Sequence, residues 1–267
     1  MTSSSLNAFK TVAIRGSPGL MAKSITLTPW GMGKPASAIV ISSRWPSSAT
    51  SWRNFDLRLE ISKYFDFPVY LGNDATSACG AELTLGGLDT AEDFLYIYIG
   101  YFIGGGIVLN GSLFTGKSGN AGALGPFLMQ STNGNCEQLV ERASLISLER
   151  QLARHRNNPD FAMTSEFNLL KGEDEIVEEW LEISTLAIAH LVIGACSVID
   201  FPMVVIDGKM PSFLKARALE KINSAVDSLP SSGIFKPDIL PGTLGEKARA
   251  LGAASLPLAR KFMLEIS

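Results

Sequence analysis

An Asn-Asp pair, Asn73-Asp74, stands where a short apolar run, Val69-Tyr70-Leu71, gives way to a helix-forming stretch. A carboxylate that ends a strand and opens a helix sits where α/β sheets bind their ligands. Asp74 could take a proton from a substrate hydroxyl, as the general base does in phosphoryl transfer. It could equally hold two hydroxyls of a sugar and do no chemistry. Both residues also suit a purely structural role, because Asn and Asp are favoured at helix N-termini. Two glycine-rich stretches follow. In Gly100–Gly106 (GYFIGGG) the backbone N–H groups of Gly104 and Gly105 could approach a phosphate. Tyr101 and Phe102 interrupt the run where close approach would be needed, and a strand bend or bulge explains it as well. Gly116–Gly125 carries Asn120 and few charges, and reads either as a pocket wall or as an ordinary loop. The candidate ligand-binding set is therefore Asn73, Asp74, Gly104, Gly105 and Asn120.

Other reactive side chains are sparse. The two histidines, His155 and His190, have no evident partners, and His190 in an apolar stretch reads as a hydrogen-bonded core residue. Cys79 and Cys196 also read as core. The three cysteines are widely spaced, with no CxxC pair and no Cys/His cluster. Neither a disulfide framework nor a metal site is expected, and a reducing cytoplasm fits.

The elements that would position these groups alternate between strand and helix. Trp52–Asp66 reads as a helix capped by Asn54 or Asp56, and Val69–Leu71 as a buried strand. Asp74–Leu85 reads as a helix ended by Gly86-Gly87, with small residues suited to close packing on a sheet. Phe94–Ile99 is β-rich. Ile107–Leu109 and Ser112–Phe114 form a hairpin about Asn110-Gly111, a pair that accepts the positive φ angles of a type I′ turn. Cys136–Ala153 reads as one amphipathic helix, and His155–Ser165 as a loop. Glu173–Ile199 reads as a long helix that turns apolar after Leu186 and enters the domain centre. Met203–Ile206 is a strand, Pro211–Leu229 a helix, Asp238–Leu240 an extended segment, and Glu246–Leu264 helical. The pattern predicts an α/β fold with a mixed sheet. Before Trp52 only Thr11–Ile14, with a turn at Gly16–Gly19, and Ile39–Ile41 look strand-like.

Composition narrows the classes. With 46% hydrophobic and 18% charged residues among 267, the chain suits a folded globular protein. A net charge of −3 argues against a broad basic face for nucleic acid. The start shows no signal peptide. The most apolar run, Leu186–Ile199, is too short for a bilayer, which needs about 20 apolar residues.

Several blocks, in order, resemble the ROK family of sugar kinases and sugar-responsive repressors. They are LGNDATSACGAE (Leu71–Glu82), YIYIGYFIGGGIVLNGSLFTG (Tyr96–Gly116), GNAGALG (Gly119–Gly125), VIDFPMVVIDG (Val198–Gly208) and TLGEKARALGAA (Thr243–Ala254). The resemblance runs from about Trp52 to the C-terminus. It implies an actin-like ATPase, RNase H-type fold with an incomplete first lobe, and an assembly as a homodimer or homotetramer. Residues 1–51 are then a poorly matching, altered or truncated segment, and 52–267 the sugar-binding and oligomerisation domain.

The departures from the family pattern bear on function. The N-terminal DxGxT-like phosphate strands have no counterpart before Trp52. Where the family has GTG followed by IGGG, this chain has Tyr101 and Phe102 after Gly100. The family loop AGEIGH supplies a sugar-binding Glu and a zinc-ligand His; here Ala123 and Pro126 stand in those places, and the cysteine-rich zinc motif is replaced by EQLVERASLISLERQL. That replacement resembles a subgroup of bacterial ROK transcriptional regulators without the zinc site. The resemblance therefore implies a sugar-sensing effector domain of a regulator, with no cofactor, no metal, no kinase activity and no catalytic residue. Contact with DNA would be made through a winged helix-turn-helix absent from this chain. The alternative is an ATP- and magnesium-dependent sugar kinase with Asp74 as general base.

Overall fold

The computed structural model describes residues 10–11, 26–27, 37–41, 57–63, 69–88, 93–130, 134–161, 163 and 174–262. Strands β1 (Lys10–Thr11) and β2 (Thr26–Leu27) pair antiparallel. Strand β3 (Ser37–Ile41) and helix α1 (Leu57–Ser62) lead to β4 (Val69–Asn73), and β3 and β4 pair in parallel from Ser37–Val69 to Ile41–Asn73. The caps expected at Asn54 and Asp56, the turn at Gly16–Gly19 and the far end of the strand expected over Thr11–Ile14 lie outside the described residues. Helix α2 (Asp74–Leu85) follows β4 directly. It ends at Gly86, whose φ of −67° is ordinary, so the terminating glycine does not use a left-handed conformation.

Next come β5 (Phe94–Ile99), β6 (Ile103–Leu109) and β7 (Ser112–Phe114), a meander of antiparallel pairs. Its tight turn has φ of 54° at Asn110 and 67° at Gly111, the conformation a type I′ hairpin requires. A hairpin of β8 (Leu128–Gln130) and β9 (Cys136–Gln138) precedes α3 (Leu139–Ala143), α4 (Leu145–His155) and α5 (Asp174–Cys196). The chain then forms β10 (Met203–Gly208), α6 (Ser212–Ser228), β11 (Asp238–Pro241) and α7 (Ala248–Phe262). The central sheet has the order β11-β10-β5-β6-β7, with β11, β10 and β5 parallel. The mixed α/β character expected from the alternation is present.

All six residues of β5 are buried, and their alternation divides the core. Phe94, Tyr96 and Tyr98 face α2 and α7, among Ala75, Ala78, Cys79, Val205 and Ala248. Leu95, Ile97 and Ile99 face the helices α3 to α6, among Leu148, Trp180, Ile188 and Leu214. Cys79 and Cys196 are both buried, as expected.

One expectation holds and two are corrected. Gly100–Gly106 forms a strand bend: the chain turns at Gly100–Phe102, and Gly104–Gly106 continue within β6, paired with Tyr98, Ile97 and Tyr96. The run is glycine because α2 presses on it. A Cβ on Gly104 would stand 2.8 Å from the Ala75 Cβ, and one on Gly106 2.4 Å from the Cys79 Cβ. Second, Cys136–Ala153 is not one helix. Ser144 is extended between α3 and α4, its hydroxyl accepting from Ile103 N at 2.9 Å. Leu145 N and Ile146 N donate to the carbonyls of Gly100 and Tyr101. The break thus docks the first turn of α4 on the bend between β5 and β6. Third, α5 enters the core on the second face of the sheet, as expected, but keeps one stripe turned outward. Leu181, Ile188 and Val192 are buried, but His190 and Leu186 are exposed on the opposite side. His190 is therefore not a core residue; an almost continuous apolar run concealed the exposed stripe.

The first core face makes the fold alkali-sensitive. Burial, and secondarily the charge of Glu82, raises the Cys79 thiol pKa well above its ordinary value. Burial, then the charge of Asp207, does the same to the Tyr96 phenol. In the unfolded chain these groups ionise near about pH 8.5 and about pH 10. The folded chain keeps its protons above those values, so this stability is complete below about pH 8.5 and is lost as pH rises. The urea midpoint is expected to fall steadily between about pH 8 and 11, and Cys79→Ala to remove the earliest part of the fall. A flat profile over that range would contradict the assignment.

Candidate functional site

The junction of β4 and α2 builds one corner of the site. Asn73 is the N-cap of α2, its side-chain oxygen accepting from Ala75 N at 3.0 Å and Thr76 N at 3.1 Å. Asp74 is the first helical residue, where a negative charge is favoured by the helix dipole. Its Oδ1 accepts from Ala75 N at 3.0 Å, and its Oδ2 accepts from Arg249 Nη1 at 3.0 Å. Arg249 arrives from the first turn of α7, and its guanidinium carbon lies 4.8 Å from the Tyr98 ring centroid. Burial is the largest influence on Arg249 and opposes its charge, but Tyr98 and Asp74 together outweigh it and raise its pKa.

These groups open on a cavity of about 190 Å³. Its opposite wall is Phe102–Gly105 of the bend and β6, and its rim is the loop carrying Asn120 and Ala123–Pro126. All the candidate residues, Asn73, Asp74, Gly104, Gly105 and Asn120, line it together. Gly105 points the other way from its neighbours: a Cβ there would meet the Leu124 Cδ1 at 2.5 Å, which seats the glycine-rich loop.

Two lining residues escape a reading of the sequence. Arg249 sits 175 positions from Asp74, after Glu246-Lys247 and before a run of small residues, where it reads as one more surface charge. Tyr98 belongs to an aromatic strand that looks purely structural. Its hydroxyl is buried and lacks a hydrogen-bond partner. Burial raises the phenol pKa, and the Arg249 charge opposes that rise.

The expected obstruction at Tyr101 and Phe102 has a definite geometry. The two rings pack edge to face at 5.0 Å, and Tyr101 Oη donates to Glu149 Oε1 at 3.1 Å. Phe102 packs on the core and lines the cavity. The first free N–H groups of α4, which could have faced an anion, instead bind the carbonyls of this bend. The N–H groups of Leu145 and Ile146 are thus engaged within the fold. Among the described residues no group of three His, Cys, Asp or Glu side chains could hold a metal ion. No described helix is long and apolar enough to cross a membrane.

A second polar cluster lies behind the cavity and fixes its back wall. Asp207, fully buried at the end of β10, accepts from Tyr96 Oη at 3.1 Å, Lys215 Nζ at 3.0 Å and Gly245 N at 2.9 Å. Glu82, buried on α2, accepts from the amide and hydroxyl of Thr243 at 2.9 and 2.8 Å. Together they clamp the turn that delivers α7, and hence Arg249, to the cavity.

A model of the ROK family matches residues 5–260. The chain belongs to the ROK family. The family match begins upstream of Trp52, where the recognisable blocks start. An N-acetylmannosamine kinase of Haemophilus influenzae is 29% identical over 220 residues, covering 80% of this chain and 71% of the kinase. A xylose repressor of Bacillus subtilis is 26% identical over 225 residues, covering 78% of this chain and 55% of the repressor. A Sinorhizobium fredii relative, 29% identical over 202 residues and 74% of this chain, is matched over only 48% of its own length. The chain thus spans about half the length of two of these ROK relatives. Among solved structures, the ROK hexokinase of Thermus thermophilus superposes with a TM-score of 0.56 at 25% identity, over 74% of this chain and 67% of the hexokinase. The actin-like ATPase fold of ROK sugar kinases follows for this chain.

Proposed function

We propose that this chain is the sugar-sensing domain of a ROK transcriptional regulator of the kind that lacks the zinc site, and that it does not phosphorylate its ligand. The observation that carries the reading is the bend at Tyr101-Phe102, where the two rings pack edge to face and Phe102 lines the cavity. Asp74 is fixed by the Arg249 guanidinium and keeps lone pairs that can accept from sugar hydroxyls. Phosphoryl transfer depends almost wholly on positioning the phosphates, and the bend at Tyr101-Phe102 offers no cradle for them. Ala123 and Pro126 on the rim supply neither a carboxylate nor an imidazole. A sugar would lie against Asn73, Asp74, Gly104, Gly105 and Asn120, closing the distance between the two lobes and shifting their orientation. Assembly as a dimer or tetramer and a cytoplasmic location belong to this reading.

The second reading is an ATP-dependent sugar kinase. It is favoured by the retention of Asp74 at the cavity mouth and by the likeness to N-acetylmannosamine kinases. A coupled ADP assay with ATP, magnesium and a panel of hexoses and N-acetylhexosamines distinguishes the two. No turnover is expected, while at least one sugar raises the melting temperature, since a ligand of the folded state stabilises it. ADP release that disappears in Asp74→Ala would establish the kinase instead.

A further inference from the structure

Arg249 reaches Asp74 on an arm that is fixed at both ends. The turn before α7 is held by two buried carboxylates: Glu82 accepts from Thr243 N at 2.9 Å, and Asp207 accepts from Gly245 N at 2.9 Å. One turn beyond Arg249, α7 meets α2 at Gly252, where an added Cβ would overlap the Ser77 carbonyl. The side chain is confined as well. Its guanidinium carbon lies 4.8 Å from the Tyr98 ring centroid, and its Nη1 donates to Asp74 Oδ2 at 3.0 Å. Asp74 Oδ1 accepts from Ala75 N at 3.0 Å. One contact on each oxygen fixes the plane of the carboxylate. A carboxylate offers about four lone-pair sites, so each oxygen keeps capacity for a further donor at the cavity wall.

We propose that Arg249 is a positioning residue: it sets the affinity of the site by holding the Asp74 carboxylate in the orientation that meets the ligand's hydroxyls, and does not itself bind the ligand. The proposal rests on reading the cavity as a sugar site. A carboxylate at a helix start is otherwise free to rotate, and ordering a side chain on binding lowers affinity. A charge-assisted bond from a planar, pre-organised guanidinium does that ordering before the ligand arrives. The pair is well placed to keep this geometry, since its two side chains are only 24% and 19% exposed and water competes little for the bond. With its face on Tyr98 and Nη1 on Asp74, the guanidinium is committed to the wall of the site. Strength of binding is thereby placed under the control of a residue delivered by a distant helix.

A double-mutant cycle tests this by calorimetry, using whichever hexose or N-acetylhexosamine binds the unaltered chain most tightly. Arg249→Gln is expected to weaken binding about fivefold to tenfold. Arg249→Lys, whose ammonium can still donate to Asp74 Oδ2, should recover part of that loss. In an Asp74→Asn background the acceptor has lost its charge, so the Arg249→Gln penalty should shrink to about threefold or less. A direct contact between Arg249 and the sugar, or a purely structural role, would leave the penalty at its full size in that background. Should Arg249→Gln fail to fold, the same cycle is run with Arg249→Lys, whose smaller penalty should shrink in the same way. A penalty that is absent, or that persists undiminished beside Asp74→Asn, would overturn the positioning role and leave the sugar site standing. Failure of every sugar to bind the unaltered chain would overturn both.

Discussion

Asp207→Ala is expected to cost about 3–5 kcal/mol of folding stability, or roughly 6–20 °C in melting temperature. The carboxylate is fully buried and accepts three hydrogen bonds, from Tyr96, Lys215 and the Gly245 amide. Removing it leaves a partly buried ammonium whose remaining partner is the Gly242 carbonyl at 3.2 Å. It also strands a buried phenol and a backbone N–H. Asp207→Asn should cost less, because an amide keeps the shape and part of the hydrogen bonding. Replacing Lys215 by Met in the Asn background should recover part of the loss, since the unpaired cation goes too. The effect should reach the cavity: Gly245 lies in the turn before α7, so ligand binding should weaken even where the variant stays folded. Urea unfolding of the four proteins checks this; an Asp207→Ala midpoint close to that of the unaltered chain would mean that the cluster is relaxed by water and contributes little.

That cluster also marks where the sequence stops being informative. Local signals were legible because their physics is local. Asn110-Gly111 dictates a hairpin by its φ angles, and Asn73-Asp74 announces a helix start whether or not it binds anything. Even the convergence of Gly104, Gly105 and Asn120 on Asp74 could be read, because strand ends and the loops beside them share one side of a sheet. The break at Ser144 could not. Its extended backbone is held by a hydrogen bond to Ile103, 41 residues away, while the flanking sequence keeps helical periodicity. Arg249 was hidden similarly. A basic residue in the first turn of a small-residue helix looks like solvent-exposed charge until the helix is seen against Asp74. The exposure of His190 reversed the same lesson, since a run apolar on nearly every side conceals which side faces water. In each case the deciding partner comes from a distant part of the chain.

Gly252→Val is also expected to be strongly damaging, and for a purely steric reason. Helices α2 and α7 cross at Gly252, where an added Cβ would stand 1.9 Å from the Ser77 carbonyl oxygen and 2.3 Å from its carbon. Both are backbone atoms in a buried helix, so no rotamer change relieves the contact, and the helices must separate. Overpacking of this kind costs about 1–3 kcal/mol and sometimes more; a valine, branched at that point, should fall at or beyond the upper end. The functional consequence follows from helix geometry. Ser77 lies three residues after Asp74 on α2, and Gly252 three residues after Arg249 on α7, so the crossing is one turn from the ion pair that faces the cavity. Separation at the crossing pulls Arg249 from Asp74, and ligand binding should fall about tenfold even at temperatures where the variant remains folded. Gly194→Ala is the internal control. That glycine is also helical, but its added Cβ would meet only the Phe127 ring edge at 3.7 Å, so the substitution should be neutral or gain up to about 1 kcal/mol from helix propensity. If Gly252→Val melts within a few degrees of the unaltered chain and keeps its affinity, α2 and α7 do not approach this closely, and the Asp74–Arg249 pair cannot be what shapes the site.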